Sequence, residues 1–579
     1  MHFKWDYEPP TSNEIQAAEE LAAELGKSPI VARLLMQRGI RTLDEAKRFF
    51  RPQLPNLYDP FLMNDMDKAV DRLNAALGRK EKILVYGDYD VDGCTAVALV
   101  YKFLRQFYSK IDYYIPDRYE DGYGVSDKAL EYAREMDVKL IIILDCGIKA
   151  NEQIATAKEM GIDFIVCDHH MTDDDLPEAV AVLDPKRKDN TYPFEHLSGC
   201  GVGFKLMQGF AKSNGIPFNK LIPLLDLCAL SIVSDLVPIT DENRILCFHG
   251  MRQLNNAPSI ALKAIMETCG LTDKEITIND ITFKIGPRIN ASGRVQNGSE
   301  TVDLLIETDY DKALEMARNV NEYNEQRRDI DKQMTEEAND IVTELSNKYK
   351  DNLNSLVLYD ENWTRGVIGI VASRLTELYV RPTIILTRSG DYAIGSARSV
   401  DGFDIYKAIE SCKDILENFG GHTYAAGLTL KVENITEFRH RFCAYVDKHI
   451  LPEQKEATLH ISGILDFKSI TNKLRNDIKH FEPFGPMNEK PLFCTLGVYD
   501  YGTSKVVGRE QEHIKLELID SCSSNVMDGI AFKQSEHARF IKSKSSFDIA
   551  YTIEENTYKH GGIQLQIEDI RPSQEDMGV

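Results

Sequence analysis

The sequence lacks any apolar run long enough to cross a membrane, and its first ten residues contain no apolar segment of the kind found in a secretory signal. No two cysteines are spaced as in a zinc site, and the eleven thiols stand singly. An odd number of separate cysteines is typical of a reducing compartment. We therefore expect a cytoplasmic protein that is not inserted in a membrane.

An excess of positive charge is also absent, since 68 basic and 91 acidic residues give a formal charge of −23. This balance argues against a protein that coats nucleic acid through general basicity. It does not exclude an enzyme of nucleic acids, because acidic clusters that bind divalent metals add negative charge and a local basic groove can coexist with them. The sequence shows no repeat and no low-complexity tract.

The 579 residues are too many for one hydrophobic core and predict several domains. In residues 71–260 and again in 351–455, short apolar runs alternate with helical segments, which is typical of α/β domains. Strictly alternating runs such as "HIKLELI" predict a β-rich domain, and its size favours a small barrel. The boundaries that we expect are 1–70 (short helices), 71–260 (α/β), 261–350 (helical, ending in one long helix from about Tyr310 to Lys350), 351–455 (α/β) and 456–579 (β).

Acidic and imidazole side chains follow three of the apolar runs. "ILVY" leads to Asp88, Asp90 and Asp92, "LIIIL" leads to Asp145, and "FIVC" leads to Asp168, His169 and His170. In an open parallel sheet ligands bind beyond the carboxyl ends of the strands, so these groups are expected at one edge. A further acid, Asp235, follows the apolar stretch "ALSIVS".

Carboxylates that crowd together repel one another, and divalent cations relieve the repulsion. A set of oxygen ligands with one or two imidazoles suits Mn²⁺ or Mg²⁺ better than zinc. Such a set can hold two ions roughly 3.5–4 Å apart, the spacing used for displacement at phosphorus. Asp145 is the best candidate for a bridging ligand, whereas Asp88 taken alone could equally cap a loop.

The ordered motifs "DYDVDG", "LDCG", "DHH" and "SDLVP" resemble the DHH phosphoesterase superfamily, and "GGHTYAAG" resembles its DHHA1 partner domain. The segments "LLMQRGI", "IPDRYEDGYGV", "GPRINASGR", "WTRGVIGIVASRL", "GSARS" and "EPFGPMN" resemble the RecJ family of single-strand-specific 5′→3′ DNA exonucleases. The resemblance covers almost the whole chain. It implies a parallel-sheet DHH domain (71–260), a long helix leading to an α/β DHHA1 domain (351–455), and a C-terminal OB-fold barrel (456–579).

The resemblance also implies roles for single residues. The implied metal ligands are Asp90, Asp92, Asp145, His169 and Asp235, with Asp88 close by, and His170 is expected near the scissile phosphate, so that Asp145, His169 and His170 form the catalytic set. Asp168 is expected to orient an imidazole. The implied ligands of the 5′-terminal phosphate and the DNA are Arg118, Arg294 (or Arg288), Ser396, Arg398 and His422. Arginine suits this task because its planar fork matches phosphate oxygens.

The implied function is a metal-dependent exonuclease acting on single-stranded DNA in repair and recombination, with Mn²⁺ or Mg²⁺ as cofactor. Candidate residues for strand binding by the barrel are Tyr499, Tyr501, Lys505, Arg509, Lys515 and Phe532. A single-strand-binding protein and a helicase are candidate partners of an expected monomer. Two alternatives stay open: a phosphodiesterase of short oligonucleotides or cyclic dinucleotides, and a non-catalytic replication scaffold.

Overall fold

The computed structural model describes residues 3–118, 121–122, 124–295, 298–349, 353–523, 525–556 and 561–573, with the side chains of 348 and 349 excepted. Tyr119, Glu120 and Tyr123 of the segment "IPDRYEDGYGV" lie outside this range. The chain forms two compact units, one made of Met1–Leu57, Leu236–His249 and Thr458–Val579, the other of Tyr58–Asp235 and Gly250–Ala457. No described helix is both long enough and apolar enough to traverse a lipid bilayer.

The chain begins with one strand and three helices: β1 (Phe3–Asp6), α1 (Ser12–Leu25), α2 (Pro29–Gln37) and α3 (Leu43–Phe50). Helix α3 begins at a capping box, in which Thr42 accepts from the Glu45 amide and the Glu45 carboxylate accepts from the Thr42 amide. These bonds satisfy amides that the helix itself leaves unpaired.

A five-stranded sheet forms the first α/β domain. Its elements are α4 (Met66–Arg79), β2 (Lys82–Gly87), α5 (Val91–Arg105), β3 (Ile111–Tyr114), α6 (Asp127–Glu135), β4 (Val138–Leu144), α7 (Asn151–Glu159), β5 (Asp163–Cys167), β6 (Ala181–Leu183), α8 (Gly199–Ser213) and α9 (Leu225–Ser234). The strands run in the order β3-β2-β4-β5-β6, and every pair is parallel. The predicted parallel sheet is confirmed.

Helices then lead to the second α/β domain: α10 (Asp241–Asn256), α11 (Ile260–Thr268), α12 (Ile278–Asp280), a π-helical turn (Ile281–Ile285), α13 (Gly286–Val295), α14 (Ser299–Ile306) and α15 (Tyr310–Tyr349). Helix α15 has 40 residues. It confirms the predicted long connecting helix, and Lys350, where the prediction ended, lies outside the described residues.

The second α/β domain contains β7 (Leu356–Tyr359), α16 (Ile368–Tyr379), β8 (Thr383–Ser389), β9 (Tyr392–Arg398), α17 (Ile405–Glu410), β10 (Asn418–His422), β11 (Ala425–Lys431) and α18 (Ile435–His449). Its sheet order is β10-β11-β9-β8-β7, with only β7 and β8 parallel. Strands β9 and β11 are neighbours, so the segments "GSARS" and "GGHTYAAG" lie side by side.

The C-terminal elements are β12 (Ala457–His460), β13 (Gly463–Ile464), α19 (Asn472–Lys479), β14 (Phe493–Asp500), β15 (Lys505–Val507), β16 (His513–Asp520), β17 (Val526–Ala531), α20 (Ala538–Ile541), β18 (Phe547–Asn556) and β19 (Gly562–Pro572). The sheet runs β14-β18-β19-β17-β16, and β16 pairs back with β14. This pairing closes a five-stranded barrel and confirms the predicted C-terminal β-barrel.

The barrel and the N-terminal helices share one hydrophobic core. Val31 and Leu35 of α2 belong to the same buried cluster as Phe467, Leu516 and Tyr551. The guanidinium of Arg244 hydrogen-bonds to two other segments of this unit. Its Nε donates to the Phe49 carbonyl, and its Nη atoms donate to the carbonyls of His480, Phe481, Glu482 and Pro483.

Candidate active site

The carboxyl ends of three neighbouring parallel strands carry the predicted acids and histidines. Asp88 follows β2, Asp145 follows β4, and the sequence Asp168–His170 follows β5. Because β2, β4 and β5 are adjacent, their ends meet at one edge of the sheet. The structure therefore brings together the groups that the strand pattern placed there.

Asp90 and Asp92 occupy the start of α5. Asp90 is the N-cap residue, and its carboxylate accepts from the Gly93 amide at 3.0 Å. Asp92 is 1 % exposed and accepts three hydrogen bonds, from the Gly199 and Cys200 amides and the Ser231 hydroxyl, each at 2.7 Å. All three donors are neutral, so they fix the orientation of the carboxylate without cancelling its charge.

Asp145 is held in a left-handed backbone conformation, with φ of 60°. A non-glycine residue pays about 1–3 kcal/mol for such a conformation, which persists where the surroundings impose it. The start of α8 packs directly against this residue, since a Cβ added to Gly199 would lie 2.7 Å from the Asp145 Oδ1. Glycine at position 199 allows the helix terminus to approach the carboxylate.

His169 connects the acids of different segments. Its Nε2 lies 3.0 Å from Asp145 Oδ1, 3.7 Å from Asp235 Oδ2 and 3.8 Å from Asp92 Oδ2. Asp235 follows the last turn of α9, so the apolar stretch before it is a helix and not a strand. The imidazole is 5 % exposed, and burial, with the nearby His170, lowers the pKa of His169 to about 3. A neutral imidazole is the form that binds metals.

Three groups of side chains have ligand atoms within 4.8 Å of one another: Asp145–His169–His170, Asp92–His169–Asp235 and Asp88–Asp90–Asp145. Asp145 and His169 each belong to two of the groups. The three sets are therefore linked into one cluster, which we call the strand-end site.

Burial and mutual repulsion raise the pKa of several of these carboxylates. The pKa of the buried Asp145 and that of the half-buried Asp235 lie well above the usual value, because desolvation and the charge of the facing Asp92 both disfavour ionisation. Burial, with the neighbouring Asp90, also raises the pKa of Asp88 and of Asp92. Ionising all of them together needs added positive charge.

The residues present fit divalent metal ions. Their donors are carboxylate oxygens with one or two imidazoles, a set that suits Mn²⁺ or Mg²⁺. In addition, Asp88 Oδ1 is buried and has no hydrogen-bond partner among the described residues. An unsatisfied buried carboxylate oxygen is costly, and a metal ligand bond would satisfy it.

Asp168 and His170 form a separate hydrogen-bonded pair at the same edge. His170 Nδ1 lies 2.7 Å from Asp168 Oδ1, and Asp168 Oδ2 accepts from the Ile148 amide at 2.9 Å. Burial opposes both charges, but the bond between them prevails: it lowers the pKa of Asp168 and raises that of His170 to about 9. Asp168 contacts the imidazole of His170, as expected of an orienting carboxylate.

Two predicted arginines lie beside the acidic loop. Arg118 stacks over the ring of Tyr89, with 4.1 Å from its Cζ to the ring centroid, and its Nε donates to the Gly293 carbonyl at 3.1 Å. Arg294 donates to the Gly366 carbonyl at 2.9 Å. Burial, with the charges of Arg118, Arg327 and Arg398, lowers the pKa of Arg294 to about 10.

Ser396 and Arg398 come from β9 of the second α/β domain. The guanidinium donates from Nε to Ser373 Oγ and from Nη1 to Ser396 Oγ, each at 3.1 Å, and from Nη1 to the Ala397 carbonyl at 2.8 Å. A Cβ at Gly369 would lie 3.2 Å from Arg398 Nη2, so glycine leaves room there. We call Arg118, Arg294 and Arg398 the arginine group.

Arg288 and His422 occupy different surroundings. Arg288 donates to the Asn321 side chain and to the Lys284 carbonyl, so it faces helix α15. His422 ends β10 and is exposed. Partial desolvation of its ring, together with the charges of His170, Lys149 and Lys186, lowers the pKa of His422. The charge of His170 in the strand-end site is thus among those that act on His422.

Sequence reasoning missed several residues that support these sites. Ser231, Gly199 and Cys200 hold Asp92 from segments more than 100 residues away, and no local pattern marks them. Arg327 looks like any charged residue of a long helix. Asp184 could have been found, because it follows a short apolar strand in the same way as Asp145 and Asp168.

The barrel exposes the three aromatic candidates: Tyr499 is 39 %, Phe532 50 % and Tyr501 57 % exposed. Phe532 packs edge-on against His513, with centroids 5.1 Å apart. Lys505 and Lys515 are register partners on β15 and β16, and Arg509 is exposed in the loop between these strands. Exposed aromatics beside basic residues fit the predicted strand-binding surface.

Three family models match the chain. The DHH family, N-terminal domain, matches residues 82–232, the DHHA1 domain matches 352–448, and the RecJ OB domain matches 461–569. The first two include the strands that carry the strand-end site and Arg398, and the third includes the barrel.

Individual relatives match over most of the chain. The single-stranded-DNA-specific exonuclease RecJ of Bacillus subtilis (strain 168) is 33 % identical over 99 % of this chain and 71 % of its own length. A crystal structure of RecJ in complex with Mn²⁺ from Thermus thermophilus is similar with a TM-score of 0.83, at 24 % identity, over 99 % of this chain and 80 % of that one. A crystal structure of exonuclease RecJ bound to manganese is similar with a TM-score of 0.59, at 27 % identity, over 70 % of this chain and 99 % of that one.

Proposed function

Because the chain belongs to the RecJ family of single-stranded-DNA-specific exonucleases, we propose that it hydrolyses phosphodiester bonds of single-stranded DNA from the 5′ end and releases 5′-mononucleotides. The observation that carries the proposal is the strand-end site with the arginine group beside it. Tyr89 links the two, since it lies between Asp88 and Asp90 in the sequence and stacks on Arg118.

We assign the metal ions of this reaction to the strand-end site. Asp88, Asp90, Asp92, Asp145, His169 and Asp235 would hold two divalent ions, and of these carboxylates Asp145 is the one that belongs to two of the three ligand groups. Support comes from the unsatisfied oxygen of Asp88 and from the manganese-bound relative. When bound, Mn²⁺ or Mg²⁺ activates a water molecule and stabilises charge on the phosphate.

Side chains of the protein bind and orient the substrate phosphates. His170, oriented by Asp168 through Nδ1, presents Nε2 as the nitrogen for a hydrogen bond to the scissile phosphate. Arg118, Arg294, Ser396 and Arg398 bind the 5′-terminal phosphate and so place the first phosphodiester bond at the metals. His422 binds the strand from the opposite hairpin. Arg288 is a weaker candidate because Asn321 and the Lys284 carbonyl already engage it.

Two other functions are compatible with the same fold. A non-catalytic scaffold would not need the complete ligand set that the chain retains. A phosphodiesterase restricted to very short substrates would not need the barrel with its exposed aromatics. Both observations favour an exonuclease of long strands.

One set of reactions tests the proposal. The protein is incubated with Mn²⁺ and 5′-phosphorylated single strands, duplexes, dinucleotides or cyclic dinucleotides, with the label at the 5′ or 3′ end, and the products are identified. We expect 5′-mononucleotides from single strands, with the 5′ label released first. Cleavage of dinucleotides alone would favour the second function, and no cleavage of any substrate would favour the scaffold.

The cellular setting is part of the same proposal. All eleven cysteines are free thiols, which fits a reducing cytoplasm. We place the activity in DNA repair and recombination, with a helicase to supply single strands, a single-strand-binding protein on them, and the enzyme acting as a monomer.

A further inference from the structure

One basic residue at the edge of the strand-end site has no role in the function proposed above. Strand β6 follows β5 in the sheet, and Leu183 pairs with Cys167 at the last position of both strands. The Asp168 amide donates to the Leu183 carbonyl at 3.0 Å. The loop after β6 therefore leaves the sheet directly beside the Asp168–His170 pair, and Lys186 is its third residue.

Hydrogen bonds hold this loop in place. The buried Asp184 carboxylate accepts from the Lys186 amide at 2.7 Å. Asn190 donates to the Pro185 carbonyl at 2.6 Å, and Arg187 donates to the Val182 carbonyl at 2.7 Å. The backbone at position 186 is thus fixed on both sides, and this fixes the point from which the lysine side chain extends.

The three consecutive basic residues of the loop differ in their partners. Arg187 forms ion pairs with Asp65 and Asp189, and Lys188 pairs with Asp174. For Lys186, in contrast, no carboxylate of the described residues lies within ion-pair distance. Its ammonium is available for an anion that comes from outside the chain.

The charge of Lys186 acts on groups of both α/β domains. It reaches His169, His170 and Asp235 of the strand-end site, and His422 of the opposite hairpin. For each of these groups burial has the larger influence on the pKa, and Lys186 acts in addition. Since the loop also leaves the sheet beside the Asp168–His170 pair, we place the ammonium at the edge of the strand-end site.

We propose that Lys186 is a substrate-binding residue whose ammonium contacts a non-bridging oxygen of the scissile phosphate. This inference rests on the proposed nuclease function. Negative charge on those oxygens is what the reaction must stabilise, and a compact ammonium held by a rigid loop can do so without reorganising. Asp184 is a positioning residue, since it fixes the loop through the Lys186 amide.

The experiment compares Lys186→Met, Lys186→Arg and the wild type, with Lys188→Met as the matched control two residues further along the same loop. Methionine retains the aliphatic stem and the amide that binds Asp184. Single-turnover cleavage of a 5′-phosphorylated strand of only a few nucleotides is measured with saturating enzyme and Mn²⁺. We expect Lys186→Met to lower the rate constant about 10²-fold, Lys186→Arg to recover most of the loss, and Lys188→Met to match the wild type.

Binding provides a second measurement that does not depend on turnover. The affinity for the same strand is titrated against salt without divalent metal. Loss of one phosphate contact should reduce the slope of log K against log salt by about 0.7 for Lys186→Met, whereas Lys188→Met should keep the wild-type slope.

The outcomes separate the inference from the function on which it rests. A wild type that degrades no single strand overturns both. If the wild type is active and Lys186→Met is equally fast, only the Lys186 assignment is overturned. A change confined to substrate affinity also overturns it, because Lys186 would then contact another phosphate of the strand and not the scissile one. A slow Lys186→Met that arginine does not rescue and that melts at a lower temperature also overturns it, because the role would then be structural.

Discussion

The strand-end site and the arginine group carry opposite charges, yet neutral partners hold both. Asp92 accepts from two amides and a hydroxyl, while Arg398 donates to two hydroxyls and a carbonyl. Among the described residues, no carboxylate pairs with Arg118 or Arg398. Each region thus keeps its geometry without an internal ion pair at Asp92 or Arg398 that would compete with a ligand of the opposite sign.

Arg244 shows what a structural arginine looks like in the same chain. It is 3 % exposed and also has neutral partners, but its three nitrogens donate to five carbonyls and its Cζ lies 3.8 Å from the centroid of the Phe49 ring. Arg118 donates to one carbonyl and Arg398 to three oxygens. We therefore expect the number of donors in use, and not burial alone, to distinguish an arginine that supports the fold from one that binds a ligand.

The largest effect is expected at Asp145. Asp145→Asn should lower cleavage by on the order of 10³-fold or more, because it removes the carboxylate shared by two ligand groups. Without metal, the variant should be more stable than the wild type, since one source of like-charge repulsion is gone. Single-turnover cleavage and denaturant unfolding in EDTA, followed by the fluorescence of Trp363, measure the two effects.

The metal dependence of stability completes this test. Mn²⁺ at 100 times its dissociation constant should stabilise the wild type by about 2.7 kcal/mol and the variant much less. Asp175→Asn, an exposed acid in the loop after the same cluster, serves as the control and should behave as the wild type. Wild-type turnover in Asp145→Asn would remove this residue from the metal site.

A large effect on stability alone is expected at Arg244. Arg244→Ala leaves several buried carbonyls without donors, and hydrogen bonds to a charged group are worth about 1.5–3 kcal/mol each. The free energy of unfolding of its unit should fall by about 3 kcal/mol or more. The chain has two tryptophans, and Trp5 belongs to this unit while Trp363 belongs to the other.

Denaturant unfolding of Arg244→Ala in a Trp363→Phe background therefore reports on this unit through Trp5. Arg48→Ala, an exposed arginine of α3 in the same unit, is the control. If both substitutions cost the same, the count of donors does not identify structural arginines.

Sequence reasoning located Asp88, Asp145 and the sequence Asp168–His170 because each is a local signal, a polar group directly after an apolar strand. It could not find the amides of Gly199 and Cys200 that hold Asp92, because that contact depends on tertiary packing. The choice between Arg288 and Arg294 is a matter of helix phase. Because Arg288 and Arg294 are six positions apart, they lie on different faces of α13. Only the structure shows that Arg294 is the one near Arg118.

The shared core of α2 and the barrel is a second feature beyond the reach of local patterns, because Val31 and Leu516 are almost 500 residues apart in sequence. It also bears on how the barrel is tested. Removing the chain from Ala457 onward would expose the apolar face of the N-terminal helices, so point substitutions on the barrel surface are the cleaner probe.

A smaller effect, on selectivity, is expected at Arg398. Arg398→Ala should reduce the preference for a 5′-phosphate over a 5′-hydroxyl by about 10–100-fold, the equivalent of one or two charge-assisted hydrogen bonds. Cleavage of a strand that is already positioned should change less, and so should stability. The ratio of single-turnover rates on the two ends gives the preference.

Arg388→Ala is the matched control for Arg398, because Arg388 lies on the neighbouring strand β8 and pairs with Glu361 at 3.2 Å. Its preference for the 5′-phosphate should equal that of the wild type. An undiminished preference in Arg398→Ala would place the terminal phosphate elsewhere.

The smallest effect is expected on the barrel, where three of the six candidate residues for strand binding are exposed aromatic rings. Tyr501→Ala should weaken binding of a long single strand by about 1–3 kcal/mol, the worth of stacking one base on an aromatic ring. Cleavage of a substrate only a few nucleotides long should not change. The slope of affinity against salt should also stay the same, because tyrosine neutralises no phosphate, whereas Lys505→Ala should reduce it by about 0.7.

Tyr392→Ala, an exposed tyrosine of the other unit, controls for the loss of a surface ring. Equal losses on short and long strands for Tyr501→Ala would show that the barrel affects the chemistry itself, and the division between a charged reaction site and a stacking surface would then be wrong.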